Sequence, residues 1–299
     1  MVGLLELIVS GLSLGSLYAL IALGIVVVFR SSGLLNLAQG EFAILGAFLM
    51  TTVAAVGLVP WPLALVVVIV VLGAVGAVGE RVVLRPLMAR PAFVGSILTL
   101  FMGFVIHVGV VYAYGTSPRP MTTPWNPTGQ LTVLEVRIPY TSVATIVVAL
   151  TAMVALAWLL QRTRLGAAMR AVADDQEASV ALGLPSERLL GLSWALAAGM
   201  AAVAGVFLAM PPRTVSLEMS LVLFMAFPAV ILGGLDSPLG AALGGLALGV
   251  IQVTGEFYLN PLLGDFGSGF HRILPFIVMI LVLMVRPNGL FGTSQLERV

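Results

Sequence analysis

The sequence predicts an all-α, polytopic transmembrane helical bundle, and three observations carry that reading. Of 299 residues, 60% are hydrophobic and 9% charged, whereas soluble domains carry about 25% charged residues. The apolar residues fall in runs close to the roughly 20 residues that cross a bilayer core as a helix. Small residues recur at four-residue spacing, as at Gly11 and Gly15 and again at Gly240 and Gly244, and such spacing lets helix backbones approach closely in lipid.

Spans are predicted at 5–29, 37–57, 61–80, 92–113, 141–161, 188–210, 219–235, 239–259 and 271–286. The first lacks a basic leader and is too long for an ordinary signal-peptide core, so it reads as a retained helix. The second opens on polar residues, "NLAQGE", with Gly40 and Gly46 suited to close packing. Between the fourth and fifth lies a loop, 114–140, rich in Pro, Thr and Tyr. A charged segment, 162–190, separates the fifth from the sixth. The seventh is short, and glycines interrupt it, so the count is about nine, with eight or ten also compatible.

All fourteen basic residues are Arg. With nine spans, Arg30, Arg81, Arg85, Arg90, Arg162, Arg164, Arg170, Arg188, Arg286 and Arg298 fall on one side. Arg119, Arg137, Arg213 and Arg272 fall on the other. Basic residues favour the cytoplasmic side, so the N-terminus is expected outside and the C-terminus in the cytoplasm, with 114–140 external.

The same composition excludes several chemistries. Without Lys there is neither a Walker A phosphate loop nor a Schiff-base site. Without Cys there is no disulfide, thiolate nucleophile or Cys-bound metal. His107 and His271 lie far apart without zinc-site spacing, so no metal and no catalytic residue are predicted. His107 is expected to pack with a hydrogen bond. A net charge of +1 gives no reason to expect a nucleic-acid partner.

Ionisable groups inside a membrane are costly and point to function by default. Glu41 and Glu256 are the main candidates, while Glu6 and Arg30 read as interfacial. Asn36 and Glu41 also suit a helix N-terminus, where an amide caps and a carboxylate meets the positive dipole end. A fainter echo recurs at 234–242, where Asp236 and Ser237 precede Gly240. Interrupted helices in paired positions mark many transporters, and they suggest two related halves, roughly 1–140 and 141–299, of a single permease domain. Tyr18, Asn36, Gln39, Gly40, Glu41, Asp236 and Ser237 are therefore candidates for the translocation path or for helix starts. Gly11, Gly15, Gly46, Gly240 and Gly244 are candidates for helix packing.

In 162–190, Ala168, Met169, Val172 and Ala173 give a partly amphipathic pattern. Asp174 and Asp175 can start a second short helix, and Pro185 closes the segment. "EASVALG", Glu177 to Gly183, resembles the loop by which permeases of ATP-binding-cassette importers dock on their ATPases. Together with "GLSLGSLYALIALG" at 11–24, "NLAQGEFAILGAF" at 36–48, "ERVVLRPL" at 80–87, "GAAMRAVADDQEASVALGL" at 166–184, "GGLDSPLGAALGGLALG" at 233–249 and "RPNGLFG" at 286–292, nearly the whole chain resembles the permeases of branched-chain amino acid ABC transporters.

The resemblance implies a bacterial inner-membrane subunit that pairs with a second permease, as a hetero- or homodimer. It implies two cytoplasmic ATP-binding subunits and an extracytoplasmic substrate-binding protein. ATP and Mg would then be bound by partners, with no cofactor in this chain. Solutes carried by such systems include branched-chain amino acids, amides and urea. Arg170, Asp174, Glu177, Ala178 and Gly183 become the expected coupling residues. An alternative from the residues alone is an ATP-independent secondary transporter or channel using Glu41, Glu256 or Asp236. An intramembrane enzyme ranks last, for want of a nucleophile or dyad.

Overall fold

A computed structural model describes residues 3–87, 92–133, 136–263 and 269–292. The helices are α1 (Leu4–Ser32), α2 (Gln39–Val56), α3 (Trp61–Gly79), α4 (Ala92–Tyr114), α5 (Tyr140–Arg162), α6 (Arg164–Asp174), α7 (Gln176–Ala181), α8 (Ser186–Leu208), α9 (Val222–Gly233), α10 (Pro238–Leu263) and α11 (Phe270–Val285). A π-helical turn, Glu80–Leu84, and a 3-10 turn, Arg85–Leu87, prolong α3, and another 3-10 turn, Leu217–Leu221, leads into α9.

Among the described residues seven helices are long and apolar enough to cross a membrane. Leu217–Gly233 and Phe270–Val285 are shorter apolar helical stretches. These nine segments coincide with the nine predicted spans. The loop between α4 and α5 adds something the composition did not signal: an antiparallel hairpin of β1 (Gln130–Val133) and β2 (Val136–Pro139).

The bundle has two central helices. The most apolar windows of α1 and α8 are 78% and 83% buried, against 22% in α5. Leu20, Ile21 and Ile25 of α1 and Trp194 of α8 are fully enclosed. Around them α3, α4 and α5 present Val70, Phe104, Val105 and Val154 outward. An apolar surface this extensive marks a membrane-facing protein.

In lipid, helices associate through close packing and interhelical hydrogen bonds rather than through a hydrophobic drive. The α1–α10 contact follows that rule. A Cβ added at Gly15 would lie 2.7 Å from Leu246 O, and one at Gly11 would lie 2.6 Å from Val250 Cα. Gly46 of α2 meets α8, with 2.7 Å from its added Cβ to Ala202 Cα. Gly244 of α10 meets Ala229 O of α9 at 2.6 Å in the same sense, and Gly240 lies against the backbone of Gly233. The crossing also carries a buried polar link, in which Tyr18 Oη donates to Gln252 Oε1 at 2.8 Å.

Loops at each end are tied together. At one end, Arg85 Nη1 reaches Glu187 Oε2 at 3.0 Å, joining the end of α3 to the start of α8. At the same end, Leu290 N–H donates to Leu232 O at 2.7 Å. At the other end Arg119 and Val215 exchange both backbone hydrogen bonds.

Candidate functional site

The second helix begins inside the bundle. After α1 ends at Gly33, whose φ of 69° suits glycine, the chain runs alongside α4 before turning into α2. Irregular backbone at membrane depth is tolerated only where protein or water satisfies its polar groups. Side chains of α4 do so here. Leu35 N–H donates to Ser96 Oγ at 3.1 Å, Leu37 N–H donates to Thr99 Oγ1 at 3.0 Å, and Thr99 Oγ1 faces Leu35 O at 3.0 Å.

Asn36 and Gln39 finish the turn. Asn36 Oδ1 accepts from Ala38 N–H at 3.0 Å, and Asn36 Nδ2 donates to Gln39 Oε1 at 2.8 Å. Gln39 Nε2 then donates to Ala197 O, in the middle of α8, at 2.9 Å. Both amides are fully buried. Their bonds form a short chain that polarises along its length and leaves nothing orphaned. A side chain at Gly24 of α1 would strike the Gln39 amide, so glycine there makes room for it. Gly40 packs against Ser220 O. Within the same first turn, Glu41 Oε2 lies 2.9 Å from His107 Nδ1, joining α2 to α4.

The start of α10 is capped by a hydroxyl: Ser237 Oγ accepts from Gly240 N–H at 3.1 Å. Asp236 beside it has a partner of its own. Between α1, α5, α6 and the start of α10 lies a groove of about 510 Å³. Arg30, Arg170, Asp236 and Ser237 line it, and most of its remaining wall is aliphatic. Glu256 is exposed near the end of α10. His271 stands 3.4 Å from Asn260. Among the described residues no three His, Asp or Glu gather as metal ligands.

The segment after α5 folds into two short helices. Thr163 Oγ1 accepts from Gly166 N–H at 3.0 Å and caps α6, and Asp175 Oδ1 accepts from Ala178 N–H at 2.9 Å and caps α7. Gly183, at φ 79°, reverses the chain after α7. Asp174, Ala178, Val180 and Leu182 are exposed, whereas Arg170 turns into the groove. Glu177 lies in α7, with its side chain outside the described atoms.

Sequence reasoning missed four partners. Ser96 and Thr99 look like ordinary helical hydroxyls until 33–38 is laid beside them. Gln252 is a lone amide in an apolar run. Glu80 is fully buried and pairs with Arg85 at 2.8 Å. The five-residue spacing of Glu80 and Arg85 is irregular for an α-helix and works here because the chain passes through a π turn.

Residues 7–283 match the family described as "Branched-chain amino acid transport system / permease component". The chain is 33% identical to the high-affinity branched-chain amino acid transport system permease protein BraD of Pseudomonas aeruginosa, over 99% of this chain and 98% of that one. It is 31% identical to the permease protein LivH of Escherichia coli, over 99% and 97%. A probable LivH permease of Methanocaldococcus jannaschii is 29% identical over 93% and 90%. No solved structure matches. A helical bundle with membrane-crossing helices and this end-to-end likeness lead to one assignment: the chain belongs to the branched-chain amino acid transport permease family.

Proposed function

We propose that this chain is the membrane-spanning permease of an ATP-driven importer that carries branched-chain amino acids or related small solutes, including amides and urea, into the cell. The observation that carries the reading is the near full-length likeness to BraD and LivH. It is supported by the separately capped helices α6 and α7, which present Ala178, Val180 and Leu182 to solvent.

In this reading the arginine-rich side faces the cytoplasm, so α6 and α7 meet the ATP-binding subunits. Those subunits bind ATP and Mg. A second permease, identical or different, completes the membrane part, and an extracytoplasmic protein delivers the solute. Closure of the ATPases pushes on 162–190, and the two halves of the bundle rock to admit the solute inward. Asp174, Glu177, Ala178 and Gly183 form the contact, with Arg170 behind them. The α2 start, with Asn36, Gln39, Gly40 and Glu41, and Tyr18, Asp236 and Ser237 frame the path.

Reconstitution with the ATPases, the second permease and the binding protein tests this. Solute-stimulated ATP hydrolysis is expected in the complex, and Leu182→Glu is expected to abolish the stimulation while leaving the unfolding midpoint unchanged. Uptake that survives ATP depletion but collapses with the proton gradient would transfer the chain to the secondary transporters, with the Glu41–His107 pair as the place to look for the coupled proton.

A further inference from the structure

We infer that the groove between α5 and α10 is a binding site for one anionic phospholipid, whose phosphate lies between Arg30 and Arg170. Both helices pack along α1 without packing extensively on one another, which leaves the groove between them. Its floor is aliphatic, formed by Leu23 and Val27 of α1 and Met153 of α5. Its rims are exposed, through Val154 on α5 and Leu239 on α10, so it opens toward the bilayer.

All its charge sits at one end. Arg30 ends α1 and Arg170 projects from α6, and both line that end. Among the described residues neither makes an ion pair. Arg170 Nη1 is buried and has no hydrogen-bond acceptor, an arrangement that costs free energy until an acceptor arrives. Asp236 stands on the same rim but is already engaged.

Two guanidinium groups suit a phosphate, which accepts paired N–H donors. A free phosphate would leave the long aliphatic floor without an occupant. A phospholipid fits both parts at once, with its headgroup at the membrane surface among the arginines and one acyl chain along Leu23, Val27 and Met153. Basic pockets between membrane helices hold anionic headgroups in this way.

The experiment uses the purified full chain, equilibrated in vesicles of phosphatidylglycerol and phosphatidylcholine in equal amounts, then extracted in mild detergent. Native mass spectrometry counts the retained lipid. One phosphatidylglycerol per chain is expected, in preference to phosphatidylcholine. Arg30→Gln and Arg170→Gln are each expected to lower that preference about fivefold. Ala157→Trp, which adds bulk to the wall of the groove and leaves both arginines in the sequence, is expected to remove the retained lipid altogether. If a glutamine variant does not fold, Ala157→Trp decides alone.

Equal retention of the two lipids, or an unchanged preference in the variants, overturns the assignment. Displacement of the lipid by inorganic phosphate or by free leucine also overturns it, in favour of an anion or solute site. So does efficient disulfide formation between two copies carrying Ala157→Cys, which would make the groove a permease–permease interface.

Discussion

At the scale of single residues, Gln39 does the most with one side chain. It accepts from Asn36, donates to α8 at Ala197, and occupies the space that Gly24 leaves. Gln39→Leu keeps the volume but leaves the buried Asn36 amide N–H without its acceptor, while the Ala197 carbonyl falls back on its intrahelical bond alone. A destabilisation of about 1–3 kcal/mol follows, read as a lower unfolding midpoint in detergent, and an unchanged midpoint would contradict the network. Glu41 differs, being only partly buried beside His107. If the pair serves to hold α2 against α4, Glu41→Gln, which can still bond the ring, retains ATP-driven uptake, while Glu41→Leu reduces it. Loss of uptake in Glu41→Gln would show that the charge itself is needed. Asn36 and Glu41 were legible as helix-start residues because amides and carboxylates suit that position in any helix. The acceptor on α8 was not, because Ala197 contributes a carbonyl that every residue has.

At the scale of elements, the contrast between Arg85 with Glu80 and Arg85 with Glu187 gives a graded test. Glu80 has no exposed side-chain surface, and Glu187 is 71% exposed. Removing Arg85 as Arg85→Leu strands a buried carboxylate and costs about 3–5 kcal/mol. Glu187→Ala removes an exposed partner and costs about 0–1 kcal/mol. Comparing the two unfolding midpoints checks the difference, and equal effects would refute the buried pairing. The α1–α10 crossing answers to a different force. Gly15→Leu would drive a side chain into the Leu246 backbone, with a loss of about 1–3 kcal/mol or more. Reduced yield of folded protein from membranes is the measurement, and normal yield would show that the two helices can separate cheaply.

At the scale of the whole molecule, span positions were legible because length and hydropathy alone determine where a chain can cross lipid. Arginines 85 and 188, placed on one side by counting spans, do lie at the joined ends of α3 and α8. Which helices occupy the centre was not legible. α1 and α5 are comparably apolar along their length, yet one is enclosed and the other faces outward. What separates them is the run of small residues along α1 and the distant partners that use it. The hairpin at β1 and β2 was hidden for a related reason. Its strands are four residues each, too short for alternation to stand out among Pro and Thr.

The link from Tyr18 to Gln252 spans 234 positions of the chain. During synthesis α1 reaches the membrane long before α10. Until α10 arrives, the glycine face of α1 and the Tyr18 hydroxyl must wait in lipid or against whatever shelters a nascent span. A helix at the centre of the finished bundle therefore waits through most of synthesis for one of its main neighbours. Biogenesis should be most vulnerable there, and a ribosome stalled before residue 238 should leave α1 accessible to membrane-dissolved probes that the completed protein excludes.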